Sequence, residues 1–358
     1  MRPISATISR QALRHNLDVA KRHAGGARVW AVVKANAYGH GLLRTVAALD
    51  GADGFALLEL DTGVHMRDSG IHRPLLLIEG FFGVDDLQVI SAHSLTAVVH
   101  DAAQVRMLET ERLIKRVDVY LKINTGMNRL GFSAGDASAA LGRLRVCPNV
   151  GSITVMTHFA DADGPGGVAE QMRRLEATGI GDVPRSLANS AALLRYPETR
   201  ADWVRPGIML YGCSPFPNET AEAIGLKPAM TLKSRLVAVR TLRPGDRVGY
   251  ASTFTARAPM RIGIVACGYA DGYPRHAPGF NDRGTPILVG GKRTRTLGRV
   301  SMDMLCADLS GIPDAGVGTE VTLWGEGLSA DEVAAASGTV SYELLCALAA
   351  RVPVIEAE

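Results

Sequence analysis

Cysteine and aromatic residues are scarce in this sequence. Only 5 cysteines occur among 358 residues, and Phe, Trp and Tyr together make up 5% of the chain. The cysteines are odd in number, far apart and mostly in apolar surroundings, which favours buried thiols over a disulfide framework or a zinc site. We therefore expect a protein of the reducing cytoplasm that holds no metal. The residues concerned are Cys147, Cys213, Cys267, Cys306 and Cys346.

Long apolar runs and blocks of like charge are absent as well. No segment approaches the roughly 18 consecutive apolar residues of a membrane span, and residues 1–16 lack the continuous apolar core of a signal peptide. The formal net charge is +3, with both signs interspersed. This pattern argues against a protein that binds nucleic acid or a membrane surface.

No glycine-rich GxGxxG turn follows any strand-like run, which disfavours a dinucleotide-binding fold. Short apolar runs alternate instead with amphipathic stretches such as 84–91, 101–113, 136–145 and 167–178. Eight such runs favour a closed (β/α)8 barrel, and a doubly wound open sheet is the alternative with the same spacing. The predicted strands are Arg28–Val33, Gly54–Leu58, Pro74–Ile78, Thr96–Val99, Val117–Ile123, Ser152–Thr157, Arg185–Ala188 and Asp202–Val204.

The sequence changes in character near Pro215–Pro228, after which strand-like runs are separated by Gly and Pro turns. We expect a barrel domain over residues 1–225 and a second, mainly β domain over residues 226–358. One helical piece is predicted near the end, at Ser329–Ser337 or Tyr342–Ala350. The predicted strands of the second domain include Met230–Val239, Arg261–Ala266, Thr285–Val289 and Glu320–Leu323.

Chemically active side chains follow the predicted barrel strands where each strand ends. Lys34 comes after the first strand, Arg129 after the fifth and His158 after the sixth. Ser190 follows the seventh strand, and Arg205 opens a turn after the eighth. Active sites of such barrels lie at the carboxyl ends of the strands, so these groups are expected to converge. Their positive charge fits an anionic cofactor that carries a carbonyl group.

Lys34 is the pivotal residue in this interpretation. A lysine at a strand end is usually solvated, but the apolar residues 31–33 precede this one and would hold its amine at a dry barrel mouth. Burial favours the neutral amine, which is the form that attacks a carbonyl carbon. The turn that begins at Arg205 offers backbone N–H groups to a phosphate, with help from the Ser190 hydroxyl.

Five segments resemble the motifs of the alanine racemase family, and together they span essentially the whole chain. Residues 31–41 (AVVKANAYGHG) resemble the lysine signature for pyridoxal phosphate. Residues 247–254 (RVGYASTF), 268–275 (GYADGYPR), 298–304 (GRVSMDM) and 341–343 (SYE) resemble second-domain motifs. The resemblance implies a two-domain, homodimeric enzyme that uses pyridoxal phosphate to interconvert L- and D-alanine.

The resemblance also implies a role for each matching residue. Lys34 would bind the cofactor and act as the base for D-alanine, and Tyr250 from the other subunit would act as the base for L-alanine. Arg205 would face the pyridine nitrogen and Arg129 the phenolic oxygen. The phosphate would be held by Tyr38, Ser190, Gly207, Ile208 and Tyr342.

Further implied roles concern the substrate and its channel. His158 would support Arg205, and Lys122 matches a lysine that is often carbamylated in relatives. Met302, contributed by the partner subunit, would position the substrate carboxylate. The channel would be gated by Tyr269 and Tyr342 and lined further out by Asp163, Arg275 and Arg299.

Two departures from the family pattern, Asn124 in place of Asp and Ser301 in place of Cys, leave the fine substrate preference open. A racemase of broad specificity, acting on serine, lysine or arginine, is the nearest alternative. A decarboxylase of similar build and a cofactor-carrying barrel protein are more distant ones. The direction of use, in wall synthesis or in alanine catabolism, is also open.

Three polar residues near these motifs have plain structural interpretations. His40 is interpreted as a loop residue beside the cofactor turn, and Asp271 as a turn-forming carboxylate. Asp303 fits a structural and a functional role equally well.

Overall fold

The chain begins with elements that support both domains. The computed structural model describes residues 2–358. Strand β1 (Ser5–Ser9) leads directly into helix α1 (Arg10–Ala24). Ser9 caps this helix, because its Oγ accepts a hydrogen bond from the Ala12 N–H at 3.1 Å.

Eight parallel strands close into a barrel, which confirms the predicted fold and rules out the open sheet. Closure is made by the pairing of the first barrel strand with the last, where Arg28 lies opposite Trp203. The strands are β2 (Arg28–Val32), β3 (Gly54–Leu57), β4 (Leu75–Leu77), β5 (Thr96–Val99), β6 (Val117–Lys122), β7 (Val150–Met156), β8 (Arg185–Ser186) and β9 (Trp203–Val204).

Apolar side chains fill the barrel interior, and helices surround its strands. Trp30 stacks on Trp203 with ring centroids 4.4 Å apart, and its Nε1–H donates to the Tyr120 hydroxyl at 2.8 Å. The connecting helical segments are α2 (Lys34–Tyr38), α3 (Leu42–Ala48), α4 (Leu60–Asp68), α5 (Val84–Ala92), α6 (Ala102–Thr110), α7 (Ala134–Val146), α8 (Ala169–Glu176) and α9 (Ser190–Arg195).

The second domain is mainly β, as predicted, and contains both of the helical pieces that were offered as alternatives. Its elements are β10 (Met230–Leu242), β11 (Arg247–Val248), β12 (Phe254–Thr255), β13 (Met260–Val265), β14 (Pro286–Val289), β15 (Lys292–Leu297), β16 (Leu305–Asp308), β17 (Glu320–Trp324), α10 (Ala330–Ala336), α11 (Ser341–Cys346) and β18 (Val354–Ala357).

One sheet of eight strands organises this domain, in the order β13-β16-β15-β14-β17-β10-β1-β18. The long strand β10 also pairs with β13. By its pairing, β1 belongs to this second sheet, because it runs antiparallel to β10 and parallel to β18. The proposed domain boundary at residue 225 stays a prediction. Strand β1, which precedes the barrel in the chain, pairs with strands that follow this boundary.

No helix within residues 2–358 is long and apolar enough to span a bilayer.

Candidate active site

A cavity of about 930 Å³ opens at the carboxyl ends of the barrel strands. Its wall includes all of the residues that the sequence predicted for cofactor binding, and one of them, Tyr342, comes from the second domain on α11. The predicted residues that line it are Lys34, Tyr38, Lys122, Arg129, His158, Asp163, Ser190, Arg205, Gly207, Ile208 and Tyr342.

Lys34 opens a left-handed turn, which is the most unusual backbone in the site. The four residues 35–38 follow with φ angles of 54°, 52°, 53° and 51°, although none of them is glycine. Each such residue costs about 1–2 kcal/mol relative to a right-handed conformation. Backbone hydrogen bonds close the turn, from Ala37 N–H to Val33 at 2.9 Å and from Gly39 N–H to Ala35 at 3.1 Å.

Gly39 ends this turn against the second domain. Its φ is 79°, and a Cβ at this position would collide with the carbonyl oxygen of Leu345 in α11. Only glycine therefore allows the turn to pack against the helix that carries Tyr342. As a result, Tyr38 lies beside Tyr342, with ring centroids 6.1 Å apart.

The turn after β9 forms a cradle at one end of the cavity. The Gly207 N–H donates to Ser190 Oγ at 2.8 Å, and a Cβ at Gly207 would lie only 2.7 Å from the Tyr38 hydroxyl. Helix α9 begins at the same place, capped by Asn189, whose Oδ1 accepts from the Ala192 N–H at 3.0 Å. The first N–H groups of a helix have no acceptor within it, so this end of the cavity suits an anion.

Arg205 is buried and is held by oxygen atoms that carry no formal charge. One terminal nitrogen donates to the backbone oxygen and the Oγ of Ser186, both at 2.6 Å. The other donates to the carbonyls of Thr157 at 2.6 Å and Leu187 at 3.1 Å. These four bonds account for the terminal N–H groups and leave the Nε–H as the remaining donor. Burial lowers the pKa of Arg205 to about 10, so the guanidinium stays charged near neutral pH.

Lys122 and His158 share this strongly positive environment. Burial, reinforced by the charges of Arg205 and Arg129, lowers the pKa of Lys122 to about 8. Burial, with the charges of Arg205 and Lys122, lowers the pKa of His158 to about 3. The imidazole is therefore neutral near pH 7. Within residues 2–358 no hydrogen bond joins the side chains of His158 and Arg205, so the supporting role of His158 stays a prediction.

The predicted residues of the second domain other than Tyr342 lie away from this cavity. The aromatic ring of Tyr250 is largely solvent-exposed, and Met302 is half-exposed. The Tyr269 N–H donates to the Ser301 carbonyl at 3.1 Å, and a Cβ at Gly249 would lie 3.2 Å from the Arg299 nitrogen. These contacts group the residues on one surface, which we call the second-domain patch. It consists of Tyr250, Tyr269, Arg275, Arg299 and Met302.

An ion-pair network centred on the buried Asp271 lies beside this patch, and its full extent could not be predicted from the sequence. Asp271 is fully buried and accepts from Arg2 at 2.7 Å, from Arg351 at 2.8 Å and from the Gly268 N–H at 2.9 Å. Arg351 also pairs with Asp303 at 2.7 Å. The bond to Gly268 makes Asp271 the capping carboxylate of its turn, in agreement with its predicted role, whereas its two arginine partners are distant in the chain.

Comparisons with known proteins agree with this arrangement. Residues 8–215 match the family described as "Alanine racemase, N-terminal domain", and residues 229–356 match "Alanine racemase, C-terminal domain". An alanine racemase of Burkholderia mallei (strain ATCC 23344) is 58% identical over 356 residues, which are 99% of each chain.

Solved structures of similar sequence have the same fold over their full length. The biosynthetic alanine racemase from Pseudomonas aeruginosa is 46% identical and superimposes with a TM-score of 0.96, covering 100% of both chains. The alanine racemase from Acinetobacter baumannii is 37% identical, with a TM-score of 0.93 over 100% of both chains. The chain described here therefore belongs to the alanine racemase family.

Proposed function

We propose that this member of the alanine racemase family interconverts L- and D-alanine with pyridoxal phosphate, in active sites that two chains build together. One observation carries the proposal: Lys34 lies in the barrel cavity with the expected cofactor ligands, while Tyr250 lies exposed on the second-domain patch. A base that serves a neighbouring chain must be exposed in its own chain.

The residues around the cavity fit the cofactor. Its phosphate would lie in the Gly207 cradle, where any side chain would take the space, with the hydroxyls of Tyr38 and Ser190 alongside. Ile208 and Tyr342 would complete the phosphate site, Arg129 would bind the phenolic oxygen, and Lys34 would hold the aldehyde carbon. When bound, pyridoxal phosphate acidifies the α-proton of an attached amino acid by delocalising the electron pair that the proton leaves behind.

Arg205 accounts for the choice of reaction. A guanidinium donates hydrogen bonds and accepts none, so the remaining Nε–H would donate to the pyridine nitrogen and leave it unprotonated. An unprotonated ring withdraws electrons less strongly than a protonated one. By this bond Arg205 would hold the ring in its less electron-withdrawing form, which would suppress transamination and suit a racemase.

Two groups on opposite faces of the substrate carry out the proton transfers. Lys34 would remove or return the α-proton on the face that serves D-alanine. Tyr250 of the neighbouring chain would do the same on the face that serves L-alanine. One base alone would have to cross the plane of the substrate to achieve inversion. Met302 of that neighbouring chain would position the carboxylate, and the chain is accordingly proposed to act as a homodimer.

The channel residues belong to both chains in this arrangement. Tyr342 and Asp163 line the cavity of one chain. Tyr269, Arg275 and Arg299 would come from the patch of the other. A gate formed by Tyr269 and Tyr342 narrows the entrance, which favours alanine over serine, lysine or arginine.

Lys122 is proposed to become a carbamate. With its pKa lowered to about 8, a useful fraction of its amine is neutral near pH 7. The neutral nitrogen would form a bond to the carbon of CO₂ and release a proton to solvent. The product is an anion in place of a cation, and it would orient the guanidinium of Arg129.

Two further properties concern the compartment and the substrate. All five cysteines are unpaired, which supports the expected reducing compartment. The substrate is proposed to be a free amino acid, because Lys34 lies in the wall of a concave cavity that suits a small molecule.

Chiral analysis of the products tests the function directly. The purified protein with added pyridoxal phosphate should convert L-alanine towards an equal mixture of isomers, and Lys34→Ala should abolish the reaction. Turnover of serine, lysine or arginine in preference to alanine would assign the broad-specificity alternative. Release of CO₂ without inversion would instead assign the decarboxylase.

A further inference from the structure

The left-handed turn at Lys34 requires support from outside its own four residues. A run of non-glycine residues in this conformation persists only where the surroundings fix it. The hydrogen bonds and contacts of its carbonyl groups and side chains therefore identify the residues that hold it in place. Lys34, at its first position, and Tyr38, at its last, both line the cofactor cavity.

His40 lies in the loop directly after this turn, as interpreted from the sequence, and it is completely buried, which the sequence did not predict. Its Nδ1 lies 2.9 Å from the Tyr38 carbonyl oxygen and 3.1 Å from that of Ala37. Carbonyl oxygens only accept, so Nδ1 must carry the hydrogen. Nε2 is buried and has no hydrogen-bond partner within residues 2–358. Burial lowers the pKa of His40 to about 4, so near pH 7 the ring is a neutral donor to the last two carbonyls of the turn.

Contacts between aromatic rings connect the same ring to the barrel. The His40 ring centroid lies 4.7 Å from that of Tyr211, which in turn lies 4.6 Å from that of Tyr38. The Tyr211 hydroxyl donates to the Val32 carbonyl, at the end of β2, at 2.8 Å. The three rings therefore link the end of the turn to the strand from which Lys34 emerges.

We propose that His40 is a positioning residue, which holds the left-handed turn through its Nδ1–H and so fixes Lys34 and Tyr38 for the cofactor. His40 does not line the cavity, so it acts through these two residues. This inference rests on the proposed roles of Lys34 and Tyr38, but the conformation of the turn can be measured without any cofactor.

Two substitutions of His40 distinguish the effect of its hydrogen-bond donor from the effect of its volume. The amide nitrogen of His40→Asn is bonded to Cγ, as Nδ1 is, and can reach the same carbonyls. The amide nitrogen of His40→Gln lies one bond further out, like Nε2, while the side chain retains more of the volume. If packing alone matters, Gln should be the better replacement; if the Nδ1–H matters, Asn should be.

Hydrogen exchange of the ligand-free chain and equilibrium binding of pyridoxal phosphate provide the measurements. In His40→Gln we expect peptides covering residues 34–41 to exchange about tenfold faster and the Kd for pyridoxal phosphate to rise about tenfold, the effect of losing one buried hydrogen bond. In His40→Asn both quantities should stay within about threefold of wild type. Unchanged exchange in β10 peptides would show that the fold is intact.

Equal losses in both variants, or none in either, would overturn the proposal. A measurement on the wild-type protein keeps the test independent of how well the variants fold. Nitrogen-15 chemical shifts of labelled histidine should identify His40 as the tautomer protonated at Nδ1, and the opposite tautomer would also overturn it. If the wild type itself bound no pyridoxal phosphate, the proposed cofactor would fail, whereas the exchange and tautomer results would still decide the role of His40.

Discussion

The barrel cavity and the second-domain patch are built in opposite ways. Arg205 in the cavity is buried and bonded to oxygens of Ser186, Thr157 and Leu187. Tyr250 on the patch is 69% exposed, and its turn contains two non-glycine residues with positive φ, Ala251 and Ser252. One region is a cavity whose lining residues are fixed within a single chain, and the other is a surface that presents side chains outward.

This difference has a chemical reason. A cofactor can be held from one side by a single chain, so its ligands can be fixed when that chain folds. Inversion at a carbon atom needs groups on both faces, and a closed barrel covers only one. A second chain can supply the other face. Exposed aromatic and methionine side chains such as Tyr250, Tyr269 and Met302 are typical of surfaces that become buried on association.

The largest effect is expected when Lys34 and Tyr250 are substituted in different chains, which are then combined in one dimer. Lys34→Ala and Tyr250→Phe should each lower activity by at least about 10²–10⁴-fold, the usual contribution of a general base. Mixed and allowed to exchange, the two variants should regain about one quarter of wild-type activity, because half of the random dimers are hybrids and each hybrid has one intact site of two.

A matched control removes the intact site from the hybrid. Lys34→Ala mixed with a chain carrying both substitutions should regain nothing. Absence of rescue in the first mixture, with subunit exchange verified by mass spectrometry, would refute a site shared between chains.

The two faces can also be distinguished within one site. Tyr250→Phe should slow exchange of the α-proton of L-alanine at least about tenfold more than that of D-alanine, because Lys34 still serves the second isomer. Tyr269→Phe removes a hydroxyl from the same patch and should affect both isomers alike. Single-turnover exchange in deuterated water measures both rates. Equal slowing of the two isomers in Tyr250→Phe would contradict the assigned faces.

The same two regions differ in how well the sequence predicted them. All eight barrel strands overlap their predicted positions, and β6 (Val117–Lys122) differs from its prediction by one residue. Strands buried on both faces form continuous apolar runs, which are easy to recognise. In the second domain β15 (Lys292–Leu297) was missed, because three of its six residues are Lys or Arg and only its last two residues are buried.

The candidate site shows the same limit. Lys34 and Arg205 could be placed because each directly follows a strand in the chain. Arg2 and Arg351 could not, since they reach Asp271 across 269 and 80 residues respectively. Contacts made by folding between distant segments leave no local pattern. The burial of His40 was missed for a related reason: it depends on Tyr211, which comes from the other end of the barrel sequence.

The next prediction concerns the stability that the ion-pair network beside the patch provides. Asp271→Asn should lower the free energy of unfolding by about 2–3 kcal/mol, because it leaves two arginines without their buried partner. Asp303→Asn, which loses a half-exposed partner of Arg351, should cost less than about 1 kcal/mol. Urea unfolding of both variants at one protein concentration measures the difference, and equal losses would show that burial of Asp271 is unimportant.

The effect of Asp271 should depend on pH in a defined direction. Burial alone would raise the pKa of Asp271, but hydrogen bonds from Arg2, Arg351 and the Gly268 N–H outweigh it and lower this pKa below its ordinary value of 3.8. A carboxylate with a lowered pKa stabilises the folded state above its ordinary pKa and loses that effect as the pH falls. The advantage of wild type over Asp271→Asn should therefore be constant from pH 5 to 8 and decline only in acid.

On the cavity side, replacing Lys122 should have a smaller effect on stability than replacing Asp271, and of the opposite sign. The folded chain holds this lysine at a pKa of about 8, against 10.5 for a free side chain, because burial and the charges of Arg205 and Arg129 disfavour its cation. Lys122→Met should therefore stabilise the ligand-free protein at pH 7 by about 1–2 kcal/mol while abolishing carbamate formation.

Between pH 8 and 10.5 the unfolded wild type binds a proton that the folded one has released, so wild type should gain stability relative to the variant. Thermal unfolding in CO₂-free buffer measures this, with the exposed Lys292→Met as control. If the variant were less stable than wild type at pH 7, other groups of the folded chain would already stabilise the positive charge of Lys122. Its amine would then not be held in the neutral form that reacts with CO₂.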